Sequence, residues 1–207
     1  RAHRGVLFLD ELGEFRRDAL EALRQPLEEG RVTLSRTTGR VSLPCRFMLV
    51  AASNPCPCGL GEDSGECECA PGAAARYRAK LSGALADRIE IQIGLGRPSA
   101  EALAAETPED SEAVRERVSR ARRIQRERYG AERCNAELGE SEIRAHCPLE
   151  PAAERRLRES HRRFGLSGRG WDSVARVART LADLDGSEAI AEVHVAHALG
   201  LRRRAER

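Results

Sequence analysis

The sequence predicts an α/β domain over residues 1–96 and an all-helical domain over residues 97–207. In the first half, two continuous apolar runs each lead into polar residues, a pattern typical of strands in a parallel sheet. A helical pattern and a hairpin pattern lie between the two runs. After a stretch containing glycine and proline at 94–98, apolar residues recur only at helical spacing. We therefore expect a sheet packed with helices, followed by a small helical bundle.

The first apolar run, Val6–Leu9, leads directly into Asp10 and Glu11, the acidic pair. Its length and its β-forming residues predict a strand that is buried on both faces. Ligands bind at the carboxyl edge of open parallel sheets, and two carboxylates there suit phosphoryl transfer, because one can hold Mg²⁺ and the other can orient an attacking water. This is the arrangement of a Walker B motif. A strand that ends in a solvated acidic turn explains these residues equally well.

A helix is predicted to connect the first run to the segments that follow it. Leucines recur at helical spacing among the charged residues of 15–29, and we expect this helix to bend or end near Pro26. The second apolar run, 47–53, leads into Asn54. Because the carboxyl ends of parallel strands lie on one edge of the sheet, we expect Asn54 on the same edge as the acidic pair.

A β-hairpin is predicted between the helix and the second run. Two alternating segments, 31–36 and 40–44, flank a turn that contains glycine. The exposed positions of this hairpin include Arg31, Arg36 and Arg40. Such arginines can contact the phosphates of a nucleic acid. They can also serve only to keep the hairpin soluble, which is the commoner outcome.

Residues 55–75 interrupt the pattern with two Cys-x-Cys pairs, formed by Cys56, Cys58, Cys67 and Cys69. Four thiolates in so short a segment can form a tetrahedral Zn²⁺ site, and a loop with almost no apolar residues needs such a constraint to hold its shape. The Cys-x-Cys spacing is tighter than that of the usual zinc knuckle. Reduced free thiols and a redox-active disulfide therefore stay open as alternatives.

The remainder of the chain is mainly helical. Helical spacing returns over 76–87, and residues 89–93 alternate like a strand. Beyond the predicted boundary no convincing strand pattern is present. We predict helices at about 112–129, 150–164, 169–184 and 192–203, with a short segment at about 141–146 between the first two.

The composition limits the classes of protein to which the chain can belong. Aromatic residues make up 3% of the chain and charged residues 33%, so the core must consist of aliphatic side chains. The net charge of +2 does not by itself indicate a polyanion partner. No apolar stretch reaches the length of a membrane span, and no signal peptide is visible. Seven cysteines without a secretory signal favour reduced thiols or metal ligands, and hence the cytoplasm.

The single lysine excludes one phosphate-binding motif. Lys80 is the only lysine among 35 basic residues, and Ala79 and Leu81 flank it. A P-loop requires Gly-Lys followed by Ser or Thr, so the sequence contains none. Because the chain begins at Arg1, a few residues before a strand predicted to be buried, we expect it to be the C-terminal portion of a longer protein.

The order of these elements resembles the AAA+ ATPases that carry a hairpin before the sensor 1 strand, a clade that includes the magnesium-chelatase and MCM groups. Individual segments are similar to the YifB/ComM group of magnesium-chelatase-like proteins over essentially the whole chain. The segments that carry the resemblance are Gly5–Leu12, Ala22–Glu28, Ser53–Gly59, Lys80–Gly83, Asp87–Ile89 and Arg176–Leu184. The resemblance implies a partial AAA+ P-loop NTPase core with a hairpin insert, followed by a helical lid.

The resemblance implies a role for each matched residue of the core. Asp10 would position Mg²⁺, Glu11 would polarise the hydrolytic water, and Asn54 would act as sensor 1 near the γ-phosphate of ATP. Arg88 would be the arginine finger that reaches the nucleotide of a neighbouring subunit. Judged by its position alone, Arg88 is an ordinary arginine near a helix C-terminus, where the helix dipole favours it.

The resemblance also implies a sensor 2 arginine in the helical lid, which would contact the nucleotide. Arg169 lies where the family places this residue. Arg176 is a competing candidate further along the same predicted helix.

The function implied is that of a homo-oligomeric ring, expected to be a hexamer, which couples hydrolysis of ATP with Mg²⁺ to DNA remodelling. Single-stranded or branched DNA would be the substrate, as in the branch migration of natural transformation and recombination, and the hairpin arginines would contact it. One alternative is a magnesium-chelatase-type motor that drives metal insertion into a porphyrin. Another, since the sequence contains no P-loop, is a catalytically incomplete chain that serves as an oligomerisation or binding module.

Overall fold

The computed structural model describes residues 2–36, 39–62, 65–80, 85–96, 98–104, 109–130 and 133–202. The chain forms two compact units, Arg1–Ile89 and Glu90–Arg207. In the described residues the first unit is mixed α/β and the second is helical, as the sequence predicts. None of the described helices is long and apolar enough to cross a membrane.

The first unit combines a parallel strand pair, a hairpin and short helices. Its elements in the described residues are β1 (Val6–Leu9), α1 (Arg17–Ala22), α2 (Arg24–Glu29), β2 (Arg31–Arg36), β3 (Gly39–Pro44), β4 (Met48–Ala51) and α3 (Ala73–Ala79), with 3-10 turns at Leu12–Glu14 and Ala86–Arg88. β2 and β3 form the predicted antiparallel hairpin, whose turn at 37–38 lies outside the described residues. The helix predicted at 76–87 corresponds to α3 and the second 3-10 turn, and residues 81–84 between them also lie outside.

β1 and β4 form the predicted parallel pair. Their register runs from Val6 opposite Met48 to Leu9 opposite Ala51. The ladder continues past the strand ends, because the Ala52 N–H donates to the Leu9 carbonyl oxygen (2.9 Å). The residues that follow β1 and β4 therefore lie on the same edge of the sheet.

The prediction that β1 is buried on both faces is wrong. Val6 and Phe8 are 58% and 59% exposed. The opposite face, which carries Leu9, packs on the apolar cluster of this unit, whose other members are Leu12, Leu20, Leu23, Leu27 and Leu85. A strand is buried on both faces only when other elements cover both, and the residues described in this unit cover one.

The helix predicted at 15–29 is divided in two. α1 ends at Ala22 and α2 begins at Arg24, with Leu23 between them. Pro26 lies in the first turn of α2, where its missing N–H is not needed. In a continuous helix the Pro26 ring would clash with the carbonyl of Ala22, so the break falls just before the proline.

The second unit is a helical bundle around one central helix. The helices in its described residues are α4 (Ala100–Ala104), α5 (Ser111–Tyr129), α6 (Glu140–His146), α7 (Pro151–Phe164), α8 (Gly168–Leu184) and α9 (Glu192–Arg202). α8 packs against α5, α6 and α9, and its buried residues include Val174 and Ala178. α5 and α7 to α9 agree with the sequence prediction within a few residues. α6 forms at the short segment predicted at 141–146, and α4 is not predicted.

The strand predicted at 89–93 does not form, although all of its residues are described. A strand requires a partner along its backbone. Here the Gln92 N–H donates to the carbonyl oxygen of Leu201 (2.8 Å), and the Glu90 carboxylate accepts a hydrogen bond from Arg176 (2.7 Å). These bonds attach the segment to the helices of the second unit.

Candidate active site and metal centre

The acidic pair lies directly after β1. Asp10 and Glu11 are both exposed, and the Glu11 N–H donates to Asp10 Oδ1 (2.9 Å). Glu11 has φ 49° and ψ 46°, a left-handed conformation that is unfavourable for a residue with a Cβ. Residues in such conformations concentrate at functional sites, which favours a catalytic pair over a plain acidic turn.

The residues after the acidic pair fix the turn that carries it. The Leu12 N–H donates to the carbonyl oxygen of Ala52 (2.8 Å), and the Leu12 side chain is buried. Gly13 approaches Tyr77 so closely that a Cβ on Gly13 would stand 2.1 Å from the ring atom Cζ. Lys80 Nζ donates to the Gly13 carbonyl oxygen (2.8 Å). The turn is therefore held between β4 and α3.

Asn54 lies beyond the carboxyl end of β4, three residues after Ala51. Asn54 is exposed, and its carbonyl oxygen accepts a hydrogen bond from Ser53 Oγ (3.1 Å). Burial raises the pKa of Tyr77 above its usual value, although the neighbouring Ser53 side chain lowers it. The parallel register thus brings the acidic pair and Asn54 to one edge of the sheet.

Arg88 is held inside the first unit by an ion pair. It ends the 3-10 turn Ala86–Arg88, its guanidinium binds the carboxylate of Glu28 in α2, and its side chain is 9% exposed. To reach another subunit, Arg88 would have to leave Glu28. Its role as an arginine finger stays a prediction.

The two candidate sensor 2 arginines line one groove beside α8. The groove has a volume of about 500 Å³ and is also lined by Trp171. Arg176 is largely buried, and it donates to Glu90 Oε1 (2.7 Å) and to the carbonyl oxygen of Leu138 (3.3 Å). Arg169 is exposed. Arg169 is therefore better placed to reach a ligand, and the choice between the two arginines stays a prediction.

The hairpin has one apolar face and one polar face, because residues opposite each other in an antiparallel pair point to the same side. The apolar face carries Val32, Leu34, Val41 and Leu43, and the polar face carries Arg31, Thr33, Ser35, Arg40 and Ser42. Arg31 and Arg40 are both exposed. Arg36 pairs with Gly39 beside the turn, and its side chain lies outside the described part of the hairpin. The register thus places two of the three predicted DNA-contacting arginines on one polar face.

The four loop cysteines come together in space. All four Sγ atoms lie within 4.8 Å of one another. The Sγ atom of Cys56 is 3.3 Å from that of Cys58 and 3.8 Å from that of Cys67, and the last two are 3.7 Å apart. Sulfur atoms bound at about 2.3 Å around a tetrahedral Zn²⁺ stand about 3.8 Å from one another. The four-cysteine cluster can therefore hold a metal ion.

Backbone N–H groups favour thiolate formation in this cluster. The Gly61 N–H donates to Cys56 Sγ (3.3 Å). The N–H of Leu60, followed by the Cys56 thiol, lowers the pKa of Cys58 to about 6. The Cys58 N–H lowers the pKa of Cys69, but burial and the neighbouring thiols outweigh it and raise that pKa to about 12. A cation among the four sulfurs would remove the repulsion that keeps the remaining thiols protonated.

Sequence reasoning missed the residues that support the acidic pair. No sequence pattern gives a role to Tyr77 or Gly13, and Lys80 enters the sequence predictions only through the missing P-loop and the family-like segment Lys80–Gly83. Glu28, the partner of Arg88, was also missed. Lys80 offered a signal, since one lysine among so many arginines indicates a position that suits a compact ammonium. The approach of Tyr77 to Gly13 has no local sequence signal.

The fold and these placements define a class of protein: a partial AAA+ core with a hairpin before its second parallel strand, followed by a helical domain. Comparison with known families identifies the family. The family described as "Magnesium chelatase, subunit ChlI" matches residues 1–103, and the family described as "Magnesium chelatase, subunit ChlI C-terminal" matches residues 108–202. The chain belongs to the magnesium-chelatase family of AAA+ proteins.

Similar proteins come from several bacteria. A protein of Mycobacterium tuberculosis (strain H37Rv) is 43% identical over 205 residues, which are 98% of this chain and 41% of that protein. The YifB protein of Escherichia coli (strain K12) is 40% identical over 97% of this chain and 40% of its own length. Competence protein ComM of Haemophilus influenzae is 40% identical over 97% of this chain and 39% of its own length. The chain thus spans about two fifths of the length of these relatives.

Proposed function

We propose that the chain is part of a ring-forming AAA+ ATPase that couples ATP hydrolysis to DNA remodelling, such as branch migration. The observation that carries the proposal is the sheet edge where Asp10, the strained Glu11 and Asn54 follow two parallel strands. Sheets of this kind bind ligands at that edge. Membership of the magnesium-chelatase family supports the ATPase part of the proposal.

At this edge the three side chains have different roles in the proposed reaction. Asp10 holds Mg²⁺, which neutralises charge on the transferred phosphoryl group. Glu11 polarises the attacking water, and the Asn54 amide holds that water near the γ-phosphate. The fixed turn after Glu11 keeps its carboxylate in place, so that little rearrangement accompanies the reaction.

Arginines complete the proposed site in a homo-hexameric ring. Arg88 leaves Glu28 and neutralises transition-state charge at the nucleotide of the neighbouring subunit. Its ion pair with Glu28 is then the resting position of the finger. Arg169, which is exposed at the start of α8, acts as sensor 2.

The hairpin contacts DNA in this proposal. Arg31 and Arg40 share a face with serine and threonine hydroxyls, and both kinds of group bind phosphate oxygens. One relative is named competence protein ComM, and this name supports nucleic acid as the substrate on which the ATPase acts. Arg36 next to the turn is a third candidate contact.

The test is ATP hydrolysis by the full-length protein, measured without DNA, with single-stranded DNA and with a branched junction. Glu11→Gln removes the polarising carboxylate, and Glu14→Gln, a nearby exposed acid, is the matched control. We expect DNA to stimulate hydrolysis and Glu11→Gln to lower kcat by about 100-fold or more. The control should retain wild-type activity. Equal hydrolysis by Glu11→Gln and wild type would reject the assigned site.

A magnesium-chelatase motor is the second candidate, and the descriptions of both matching families favour it. The same ATPase would then drive Mg²⁺ insertion into a porphyrin together with partner subunits. A rate of ATP hydrolysis that does not change with DNA but rises when porphyrin and partner subunits are added would favour this candidate over the first.

We expect residues 1–207 alone to be an incomplete ATPase. They contain no Gly-Lys-Ser/Thr segment to hold the β- and γ-phosphates of ATP. Isothermal titration of Mg²⁺-ATP into this chain should therefore show no tight binding. We place the protein in the cytoplasm, where the clustered cysteines would stay reduced.

We also propose Zn²⁺ as the ion of the four-cysteine cluster. Four thiolates select Zn²⁺ in tetrahedral geometry, and sulfur separations of 3.3 to 3.8 Å suit it. Elemental analysis of the purified protein should give one zinc per chain. Metal-free protein in which all four thiols titrate freely would reject this assignment.

A further inference from the structure

We infer that the metal ion of the four-cysteine cluster positions Asn54, so that ATP hydrolysis depends on metal occupancy. The inference rests on the proposed function, because there Asn54 holds the attacking water. Along the chain, Pro55 alone separates Asn54 from the ligand Cys56. Asn54 is exposed and lies beyond the last residue of β4, so the strand pairing does not extend to it.

The first anchor of this segment lies before Asn54. The Ala52 N–H donates to the Leu9 carbonyl oxygen (2.9 Å), and the Ala52 carbonyl oxygen accepts the Leu12 N–H (2.8 Å). This anchor contains no cysteine and is independent of the metal.

The second anchor lies after Asn54 and is the cluster itself. Cys56 is 0% exposed, and its sulfur contacts two other cysteine sulfurs and accepts the Gly61 N–H. Gly61 has φ +82°, and a Cβ on it would stand 3.3 Å from the Pro55 ring, so this residue also packs on the segment. The Glu62 carboxylate then binds Arg78 of α3 (2.7 Å).

Between the two anchors the chain has little freedom. The Pro55 ring fixes its own φ near −65° and restricts the residue before it, which is Asn54. A metal ion that fixes Cys56 therefore fixes the backbone of Asn54. When the ion leaves, the four sulfurs lose the bonds that hold them together, and the glycines of the loop allow it to rearrange. Asn54 then moves, whereas the turn after the acidic pair keeps its separate contacts with Ala52 and Tyr77.

The experiment compares the full-length wild type with Cys67→Ser and Cys45→Ser. Cys67 belongs to the cluster, and Cys45, which is partly buried outside it, is the matched control. Zinc content, the Kd of a non-hydrolysable ATP analogue with Mg²⁺, and kcat are measured on the same samples. We expect Cys67→Ser to lose its zinc and to lower kcat by about 100-fold, with the Kd unchanged. Cys45→Ser should match wild type in all three measurements.

A second variant separates the effect of the metal from the effect of the ion pair that attaches the loop to α3. Glu62→Gln removes the ion pair with Arg78 but leaves all four sulfurs, and we expect it to keep both its zinc and its kcat. Zinc loss with an unchanged kcat would overturn the inference. A parallel loss of nucleotide affinity and helical circular dichroism in Cys67→Ser would also overturn it, because the metal would then support the whole fold. Zinc-loaded wild type without hydrolysis would instead reject the proposed function, and the inference with it.

Discussion

Lys80 Nζ donates a 2.8 Å hydrogen bond to the carbonyl oxygen of Gly13, so the single lysine of the chain holds the turn behind the acidic pair. The Lys80 ammonium also lies over the ring of Tyr77, 5.6 Å from its centroid. The Tyr77 ring in turn packs directly on Gly13. α3 thus supports the acidic pair with a cation and an aromatic ring, and this arrangement leaves no room for a side chain at residue 13.

Gly13→Ala should therefore destabilise the first unit. The added Cβ would stand 2.1 Å from Tyr77 Cζ, and the buried ring has to move to relieve the clash. We expect the free energy of unfolding to fall by about 1–3 kcal/mol, as for other overpacked sites. Urea unfolding of the full-length protein measures this. Gly96→Ala is the matched control, because a Cβ there meets no atom within 4 Å; equal stability of the two variants would contradict the described packing.

In the second unit, a buried ion-pair network predicts a larger loss of stability when one of its residues is substituted. The Asp183 carboxylate is 0% exposed and accepts hydrogen bonds from Arg179 (3.0 Å), Arg128 (2.5 Å) and Asn135 (2.8 Å). Asp183→Ala would leave the buried guanidinium of Arg179 without its counter-charge. We expect the variant to lower the free energy of unfolding by about 3–5 kcal/mol, measured by thermal and urea unfolding.

The control for this prediction is an exposed ion pair in the same unit. Glu154 and Arg158 pair at adjacent turns of α7, with side chains 45% and 66% exposed. Glu154→Ala should cost less than about 0.5 kcal/mol, because water screens the pair. A comparable loss of stability in both variants would show that burial does not govern the Asp183 network.

Glu142 predicts how stability changes in acid. The side chain of Arg133 (2.8 Å), followed by the Gly139 N–H (3.0 Å), lowers the pKa of Glu142 from 4.5 to about 2. Because the pKa is lower in the folded state, this carboxylate stabilises the fold above about pH 4.5, and the contribution is lost as the pH falls towards 2. Glu142→Gln should therefore flatten the decline of stability over that range. Glu159→Gln, an exposed acid on α7, should leave the pH profile unchanged.

The parts of the fold that follow local patterns were predictable. Apolar runs located β1 and β4, alternation located the hairpin, and helical spacing located α5 and α7 to α9. The strand predicted at 89–93 does not form, because alternation indicates which face of a strand is apolar but not which backbone would pair with it. Ile91 and Ile93 are 49% and 63% exposed, and the Gln92 N–H bonds to Leu201 in a helix.

The candidate site was predictable where it depends on strand direction. The ends of two parallel strands put Asp10, Glu11 and Asn54 on one edge, which the sequence could indicate. The closeness of the four cysteines followed from their spacing. Contacts that join distant segments, such as the ion pair of Arg88 with Glu28, carry no local pattern and required the structure.

The hairpin predicts how DNA binding depends on salt. Arg31 and Arg40 share one exposed polar face, so Arg31→Ala/Arg40→Ala removes two of the proposed phosphate contacts from it. Each lost contact should reduce the slope of log Kd against log salt by about 0.7–0.9, and affinity for single-stranded DNA should fall most at low salt. Fluorescence anisotropy of the full-length protein at several salt concentrations measures both quantities. Arg16→Ala removes an exposed arginine outside the hairpin and should change neither. An unaltered slope in the double variant would exclude this face from DNA binding, because phosphate contacts necessarily release counterions.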